Sequence, residues 1–493
     1  MSTGGLTQSI RSQAQWPLHT VAQTRTIEHQ AQAALPAYTL MQRAGLATAR
    51  LALAIAPHAQ KIWIACGPGN NGGDGLEAAV HLHAWGKQPV VTWLGQTEHC
   101  PADALQAWQR AKDAGVTFAQ QPPEHFDLAI DALLGIGTQR TPEGAMAQWL
   151  QTLQHTPHPV LCIDVPTGLH ADTGMWSSTL SPQTANTQRH TLSLLTLKLG
   201  LFTAQGRDAA GQVWFNDLGV CDWQTHNATA WLQQSKTTSA QRPHSSHKGS
   251  FGDVCILGGA QGMSGAAVLA GIAALHGGAG RVFVGLLDAT AQHTVSAYPP
   301  LMVRDAAHLN LAHTTVVCGC GGGDDIHAFM HQALSTSQQL VVDADALNAI
   351  ARDTALQRLL IQRNARSKPS VLTPHPLEAA RLLQCTTPDV QNNRLWAAQR
   401  LADGFQCIVV LKGSGSVIAS PHHTPVINGS GNALLATAGT GDVLAGLIGA
   451  YIARHHDVFD ATCQAVWMHG HAANTWPRSG PALDAAALAA SLR

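Results

Sequence analysis

Apolar and polar positions along the chain fall into two successive α/β series. Residues 20 to 56 read as helical, with Pro36 as a break. From Lys61 short apolar runs alternate with longer amphipathic stretches. Lys61–Cys66 predicts a strand, Gly67–Gly75 a polar glycine loop, and Leu76–Trp85 a helix stopped by Gly86. Gln88–Leu94 predicts the next strand, and Ala102–Ala114 a helix that Gly115 ends. Asp127–Leu133 and Val160–Val165 are further strands. Strands separated by helices imply a parallel, Rossmann-like doubly wound sheet.

Residues 226 to 247 change character. The run from Gln233 to His247 is rich in Ser, Thr and Gln, contains Pro243 and has little to bury. A linker over 226–243 is expected, between domains at 1–225 and 244–493. Phe251 opens a second α/β series. Its strands are expected near Asp253–Leu257, Val282–Leu286, Val316–Cys318, Leu340–Asp343, Val371–Leu372 and Ile408–Leu411, and long helices close the chain. No short internal repeat is present. The most apolar stretch, Gly265 to Leu287, holds several glycines plus His276 and Arg281. It reads as a core helix, a glycine stop and a strand, which excludes a membrane span.

Composition adds exclusions. With 45% hydrophobic and 12% charged residues the chain is globular, and its formal net charge of −1 gives no basic surplus for nucleic acid or an anionic membrane. The 27 histidines form no H-E-x-x-H array, so they imply no zinc centre. The ten cysteines form no C-x-x-C pair, and Cys66, Cys162 and Cys255 sit in apolar runs, which suits a reducing cytosol. The segment Met1 to Trp16 lacks an apolar signal core. A cytoplasmic enzyme acting on small molecules, assembled as a homo-oligomer, is the expectation.

The first candidate site lies in Gly67-Pro-Gly-Asn-Asn-Gly-Gly-Asp-Gly75, between a strand and a helix. Glycines there let backbone N–H groups approach an anion at a helix N-terminus. Asn70, Asn71 and Asp74 add polar groups that a phosphate turn does not require. Asp131 and Asp164 each fall at the C-terminal end of a predicted strand, and in an open parallel sheet those ends share the ligand-binding edge. Asn70–Asp74, Asp131 and Asp164–Thr167 should therefore converge. The alternative is that Asp131 and Asp164 only cap the turns that follow them.

Ile163-Asp-Val-Pro-Thr-Gly-Leu169, the glycine–asparagine loop and Leu40-Met-Gln-Arg-Ala-Gly45 together resemble the NAD(P)H-hydrate epimerase domain, over roughly residues 16 to 222. The resemblance implies that Asn70, Asn71, Gly72, Gly73 and Asp74 bind the hydrated dinucleotide. It adds the loop Gly135, Ile136, Gly137, Thr138, Gln139, Arg140 and Thr141, and Asp164, the candidate catalytic carboxylate. It also implies a potassium ion held by Asn71, Asp131 and Thr167, whose oxygens suit a hard cation. Thr167 stands where the family usually has Ser, and Gly174 to His190 matches poorly, with Gln188-Arg189 replacing an Ala-acid pair. Lys198-Leu-Gly-Leu201 matches again.

The second candidate site lies near the C-terminus. Gly439-Thr-Gly-Asp-Val-Leu-Ala-Gly446 reads as a glycine turn followed at once by an apolar helix, which aims N–H groups at an anion. Asp442 sits where a phosphoryl group would be attacked. An acid beside an anion serves as proton acceptor in phosphoryl transfer; otherwise it caps the helix. Leu411-Lys-Gly-Ser-Gly-Ser416 offers a lysine on a glycine turn, for a nucleotide phosphate or as a hairpin turn. Thr373-Pro-His-Pro-Leu-Glu378 places His375 and Glu378 at another strand end. Asp343 either holds magnesium through water or caps the next helix.

This set, with Lys248-Gly-Ser-Phe-Gly252 and Gly258–Ala266, resembles the ribokinase-like superfamily, and within it the ADP-dependent NAD(P)H-hydrate dehydratase, over residues 244 to about 480. The resemblance implies a ribokinase-like α/β sheet. It also implies that Lys412, Gly413, Ser414, Gly415, Ser416 and Gly441 hold the nucleotide, and that Ala266, Gly321, His375 and Asp442 contact the hydrate. Gly319-Cys-Gly-Gly-Gly323 departs from the family, which has Pro second and Leu fourth, and its glycines predict a floppier loop.

The two resemblances imply a joint task, repair of NADH hydrate and NADPH hydrate. One half would interconvert the R and S epimers, and the other would dehydrate the S form with ADP as co-substrate. The rival reading is a ribokinase-like small-molecule kinase with a nucleotide-binding or scaffold domain in front.

Overall fold

The computed structural model describes residues 5–12, 15–137, 141–177, 188–220, 227–234, 244–291, 298–454, 457–477 and 479–492. The chain divides into two compact units, Met1–Trp231 and Leu232–Arg493.

The N-terminal unit is built on one sheet, with strands in the order Gln8–Ser9, Gln212–Asn216, Arg189–Leu194, Val160–Ile163, Leu128–Ala132, Lys61–Cys66, Gln88–Trp93 and Thr117–Ala119. All neighbours are parallel except the first pair. The chain runs outward from Lys61–Cys66 to Thr117–Ala119, then crosses back to Leu128–Ala132 and runs outward the other way. That reversal creates a crevice between the C-terminal ends of Lys61–Cys66 and Leu128–Ala132. Alternate residues face opposite layers. Ile62, Ile64, Leu128 and Ile130 pack under helices on one side, and Trp63, Ala65 and Ala129 pack with Trp149 and Leu153 on the other. Burial on both faces explains why these strands read as continuous apolar runs.

One element departs from the sequence reading. The helix after the first strand starts at Asn70, six residues before Leu76, and runs to Ala84. Glycine in a helix costs roughly 1 kcal/mol relative to Ala, so Gly72, Gly73 and Gly75 argued for a loop. Packing overrides that preference. A Cβ on Gly72 would lie 2.0 Å from the Gly67 carbonyl oxygen, and one on Gly75 2.6 Å from the Ala132 Cβ. The glycines let the helix start press directly onto the sheet edge.

In the C-terminal unit the strands follow the order Met302–Asp305, Arg281–Leu286, Asp253–Gly258, Thr315–Cys318, Gln339–Val342, Ser370–Leu372, Ile408–Leu411, Val417–Ser420 and His423–Asn428. Pairing is parallel up to Ile408–Leu411 and antiparallel beyond it. The order reverses between Asp253–Gly258 and Thr315–Cys318, a second crevice. The strands at Met302–Asp305, Val417–Ser420 and His423–Asn428 were not anticipated, because Met302–Asp305 lies at the edge and ends in exposed polar residues, His423–Asn428 begins with exposed polar residues, and Val417–Ser420 follows a glycine turn directly. Helices Ser264–His276 and Thr440–Arg454 pack against each other over the sheet. Gly446 permits the approach, since a Cβ there would fall 2.0 Å from the Ala270 carbonyl oxygen.

Gly265 to Leu287 is the expected helix, stop and strand, and no helix among the described residues is long and apolar enough to cross a membrane. Within 226–243, read as a linker, Ala230–Gln233 form a strand and Gln233 is buried. Residues 235–243 lie outside the described ones.

Candidate functional sites

The first crevice opens into a cavity of about 480 Å³. Asn70, Asn71, Asp74, Gly135, Ile136, Gly137 and Asp164 all line it, so the convergence expected from the sequence is present. Gly72 and Gly73 do not line it; they are buried packing residues. Thr141 is exposed, and Thr138, Gln139 and Arg140 lie outside the described residues. Burial pushes the Asp74 carboxyl well up, with Asp164, Glu28, Glu77 and Asp103 adding to the effect.

Asp131 and Thr167 stand just behind this wall, both fully buried. Thr167 Oγ1 donates to Asp131 Oδ1 at 2.7 Å and Thr167 N to Asp131 Oδ2 at 3.0 Å. Leu133 N also donates to Asp131, at 3.3 Å. Asp131 thus does fix the turn after its strand, as the plainer reading had it. The Asn71 amide sits against Gly135, and its Nδ2 is buried with no hydrogen-bond partner among the described residues.

Asp164 follows its strand with φ 64. Its carboxylate forms an ion pair with Lys198, a buried side chain. The Lys198 ammonium also donates to the carbonyl oxygens of Leu194 at 2.6 Å and Thr196 at 3.0 Å. Sequence reading noticed Lys198 only as part of a matching segment. The missed signal was a lysine inside the apolar run Leu192 to Phe202, where an ammonium needs a partner. Glu28 and Arg25, from the helix Val21–Ala34, line the same cavity and were also missed.

In the C-terminal unit, Asp442 lies in the first turn of Thr440–Arg454, with Gly439 at φ 88 just before it. It is inside the helix, so it is not the N-cap. Asp442, Asp343 and Cys320 bring their carboxylate and thiol atoms within 4.8 Å of one another. Asp343 occupies the N-cap position of Ala344–Arg352 yet makes no side-chain cap bond. Instead Asp343 Oδ1 accepts from Lys412 Nζ at 2.6 Å and from Thr373 Oγ1 at 2.8 Å. Burial, then the Asp343 charge, raises the Asp442 carboxyl to about 6. Burial works against the Lys412 ammonium, but Asp343 and Glu378 outweigh it and hold its pKa above the ordinary value.

Lys412–Ser416 is the hairpin turn between antiparallel strands, with Gly413 at φ 134 and Gly415 at φ 63. The turn also aims Lys412 at the first turn of the helix Thr440–Arg454: its Nζ lies 3.4 Å from the Cβ position of Gly441. Buried Arg394, not anticipated, props that turn by donating to the carbonyl oxygens of Leu411 at 3.1 Å and Lys412 at 3.0 Å. Ser414 is exposed on the turn. His375 caps the helix Pro376–Leu383 in a capping box with Glu378, which supports its structural reading. Burial raises Glu378 to about 7 and lowers His375, so their 3.2 Å contact is closer to a neutral hydrogen bond than an ion pair near pH 7. Gly321, at φ 58, adjoins Ala266. The glycine loop around it is hydrogen-bonded to its neighbours: Ala260 N donates to Gly321 O at 2.7 Å, Gly259 N to Cys320 O at 3.0 Å, and Gly323 N to Asp345 at 2.8 Å.

Each unit therefore carries an acid-lined site at the reversal point of its own sheet, the layout of nucleotide-handling α/β enzymes. Residues 254–492 match the family described as NAD(P)H-hydrate dehydratase, and residues 37–200 the family described as YjeF-related protein N-terminus. Over 459 residues the chain is 35% identical to the bifunctional NAD(P)H-hydrate repair enzyme Nnr of Escherichia coli K12, covering 89% of this chain and 85% of that one. The corresponding enzyme of Vibrio cholerae is 34% identical, covering 89% of each chain. Among solved structures, an ADP/ATP-dependent NAD(P)H-hydrate dehydratase from Bacillus subtilis, co-crystallised with ATP and Mg²⁺, is 30% identical with a TM-score of 0.46, covering 51% of this chain and 91% of that one. The chain belongs to the family of bifunctional NAD(P)H-hydrate repair enzymes.

Proposed function

We propose that the N-terminal unit interconverts the R and S epimers of NADH hydrate and NADPH hydrate, and that the C-terminal unit returns the S form to NAD(P)H while splitting ADP into AMP and phosphate. The observation that carries the second half is Asp442 on the first turn of an apolar helix, beside the Lys412–Asp343 pair. Hydroxide is a poor leaving group, and phosphorylation of the hydrate hydroxyl improves it. Asp442 takes the hydroxyl proton as the oxygen bonds to the β-phosphorus and the bridge to AMP breaks. The amides at Gly439–Gly441 and the Lys412 ammonium steady the transferring group. The ring nitrogen lone pair then expels phosphate, and loss of the neighbouring ring proton restores the nicotinamide.

Magnesium fits the site through Asp343, whose carboxylate faces the phosphate position beside Asp442, leaving Asp442 free as the base. Cys320 is a poor partner for so hard an ion, and magnesium commonly binds one or two carboxylates together with substrate phosphates. It would neutralise phosphate charge. Potassium fits Asn71, Asp131 and Thr167, whose oxygens are hard donors, because the fully buried Asp131 carboxylate is hydrogen-bonded by the neutral donors Thr167 and Leu133 and a cation would balance its charge. The cation would order the cavity wall at Gly135.

A simple alcohol kinase would share the helix and base, but it would leave a stable phosphate ester. The test uses the two halves as separate proteins with a mixed R/S hydrate and ADP. The C-terminal half should restore the S fraction, release AMP and then stall, and adding the N-terminal half should release the stall. Equal conversion of both epimers by the C-terminal half alone would refute the division of labour.

A further inference from the structure

The helix Val21–Ala34 carries a carboxylate for which the reading so far has no use. The helix is firmly placed. Thr20 opens it with a capping box, Val21 N donates to Asp172 Oδ1 at 2.7 Å, and Gln23 Nε2 donates to the Asn227 carbonyl oxygen at 3.0 Å. Thr24 Oγ1 lies 2.7 Å from Thr196 Oγ1 in a buried contact. The Thr196 carbonyl is one of the oxygens that Lys198 grips. Glu28 is four residues after Thr24, on the same helix face, and the charges of Asp164 and Lys198 both act on it. Glu28 and Asp164 line one cavity.

We propose that Glu28 is the proton donor that works with Asp164 in the epimerisation assigned to the N-terminal unit, a role that rests on that assignment. The two carboxyl groups are set differently. Asp164 is a carboxylate paired with the Lys198 ammonium. Glu28 is pushed up by burial and by Asp164, against opposing effects from Lys198, His29 and Arg25, and Asp74 also faces it. Two neighbouring acids in unlike environments divide into donor and acceptor.

The reacting carbon carries the hydroxyl and is bonded to the ring nitrogen. Glu28 gives its proton to the hydroxyl oxygen, the carbon–oxygen bond breaks and water leaves. The ring nitrogen lone pair becomes a carbon–nitrogen double bond, so the ring is an iminium cation between two carboxylates. A water on the opposite face bonds its oxygen to that carbon and passes a proton to Asp164, while the double-bond electrons return to nitrogen. One water has left and one has entered. The proton gained by Asp164 returns to Glu28 through solvent or by turnover in the reverse direction.

The intact chain tests this, with mixed NADH hydrate as the probe and epimer exchange followed by chromatography in ¹⁸O-water. The wild type should take up one ¹⁸O per inversion, and its kcat should fall as pH rises through the Glu28 pKa, which burial holds above the ordinary glutamate value. Glu28→Gln should lower kcat by about 10²-fold, erase that fall and leave KM within about twofold, and Glu28→Asp should recover part of the rate. ADP-dependent dehydration of the S epimer by the same preparation reports intact folding. A Glu28→Gln chain with wild-type kcat, or with only KM raised, overturns the role. Inversion without ¹⁸O uptake overturns the bond-breaking step. A wild-type chain that does not epimerise at all overturns the assignment of the unit, and the role of Glu28 with it.

Discussion

His469 Nε2 lies 2.9 Å from the carbonyl oxygen of Thr440, two residues before Asp442. A buried histidine from a neighbouring helix thus holds the first turn that carries the proposed base. Burial lowers its pKa to about 4, so it serves as a neutral donor. The folded pKa is below the unfolded one, so this contribution is complete above pH 6.5 and is lost as pH falls from 6.5 through 4. The loss should reach ~3 kcal/mol. Thermal unfolding against pH should show it in the C-terminal unit, and His469→Gln, which keeps an N–H donor, should flatten the slope.

Asp442 should set the acid limb of dehydration. With its pKa raised to about 6, the carboxylate needed as base is lost as pH falls through 6. Asp442→Asn should cut kcat by ~10²–10⁴-fold and leave epimerisation intact. Steady-state assays of both activities on one preparation decide this.

The Lys412–Asp343 pair should matter for stability as well as for nucleotide binding. Lys412→Met leaves Asp343, whose side chain is only 2% exposed, with Thr373 as its remaining side-chain donor. Removing one partner of a buried pair costs ~3–5 kcal/mol, and the retained Thr373 bond argues for the lower end. Adding Asp343→Asn should restore part of that. Denaturant unfolding of the single and double variants measures the difference.

Arg25 should act on binding alone. Its Nη2 lies 3.4 Å from the Cβ position of Gly137, beside the loop proposed to bind the hydrated dinucleotide. Arg25→Ala should raise KM for the hydrate with kcat unchanged, the pattern of lost uniform binding. A fall in kcat of equal size would contradict it.

Potassium dependence should follow Asp131. Asp131→Ala should abolish it and slow epimerisation, and it should also destabilise the unit, since Thr167 and Leu133 lose a buried acceptor at ~1–3 kcal/mol. Thr167→Ser keeps the hydroxyl and should keep both properties. Rates in potassium and in sodium buffers, for the three proteins, check this.

Central strands were legible because double-sided burial writes itself as apolar runs, and Lys61–Cys66 and Ile408–Leu411 fall where the pattern puts them. The edge strand Met302–Asp305 and the exposed start of His423–Asn428 carry polar residues and leave no such trace. The convergence of residues on glycine turns and strand ends, such as Asn71 and Asp164 in one cavity and Asp442 beside Asp343, was readable from local motif chemistry. Glu28, Arg394 and His469 were not, because each reaches its place through tertiary packing from a segment with no motif of its own, and Lys198, though inside a matching segment, shows its part only in its pair with Asp164. The start of the helix at Asn70 was hidden for a related reason: glycine's local preference points to a loop, and only the neighbouring strand reverses it.

The helix Val21–Ala34 lies upstream of the matched segment 37–200. A protein trimmed to that segment would keep the glycine–asparagine loop and Asp164, and so pass as intact by motif. It would lose the cavity wall holding Arg25 and Glu28, and with it the strand Gln212–Asn216. Inventories that count activities by matched segments would therefore credit shortened chains with an epimerase whose pocket stands open on one side.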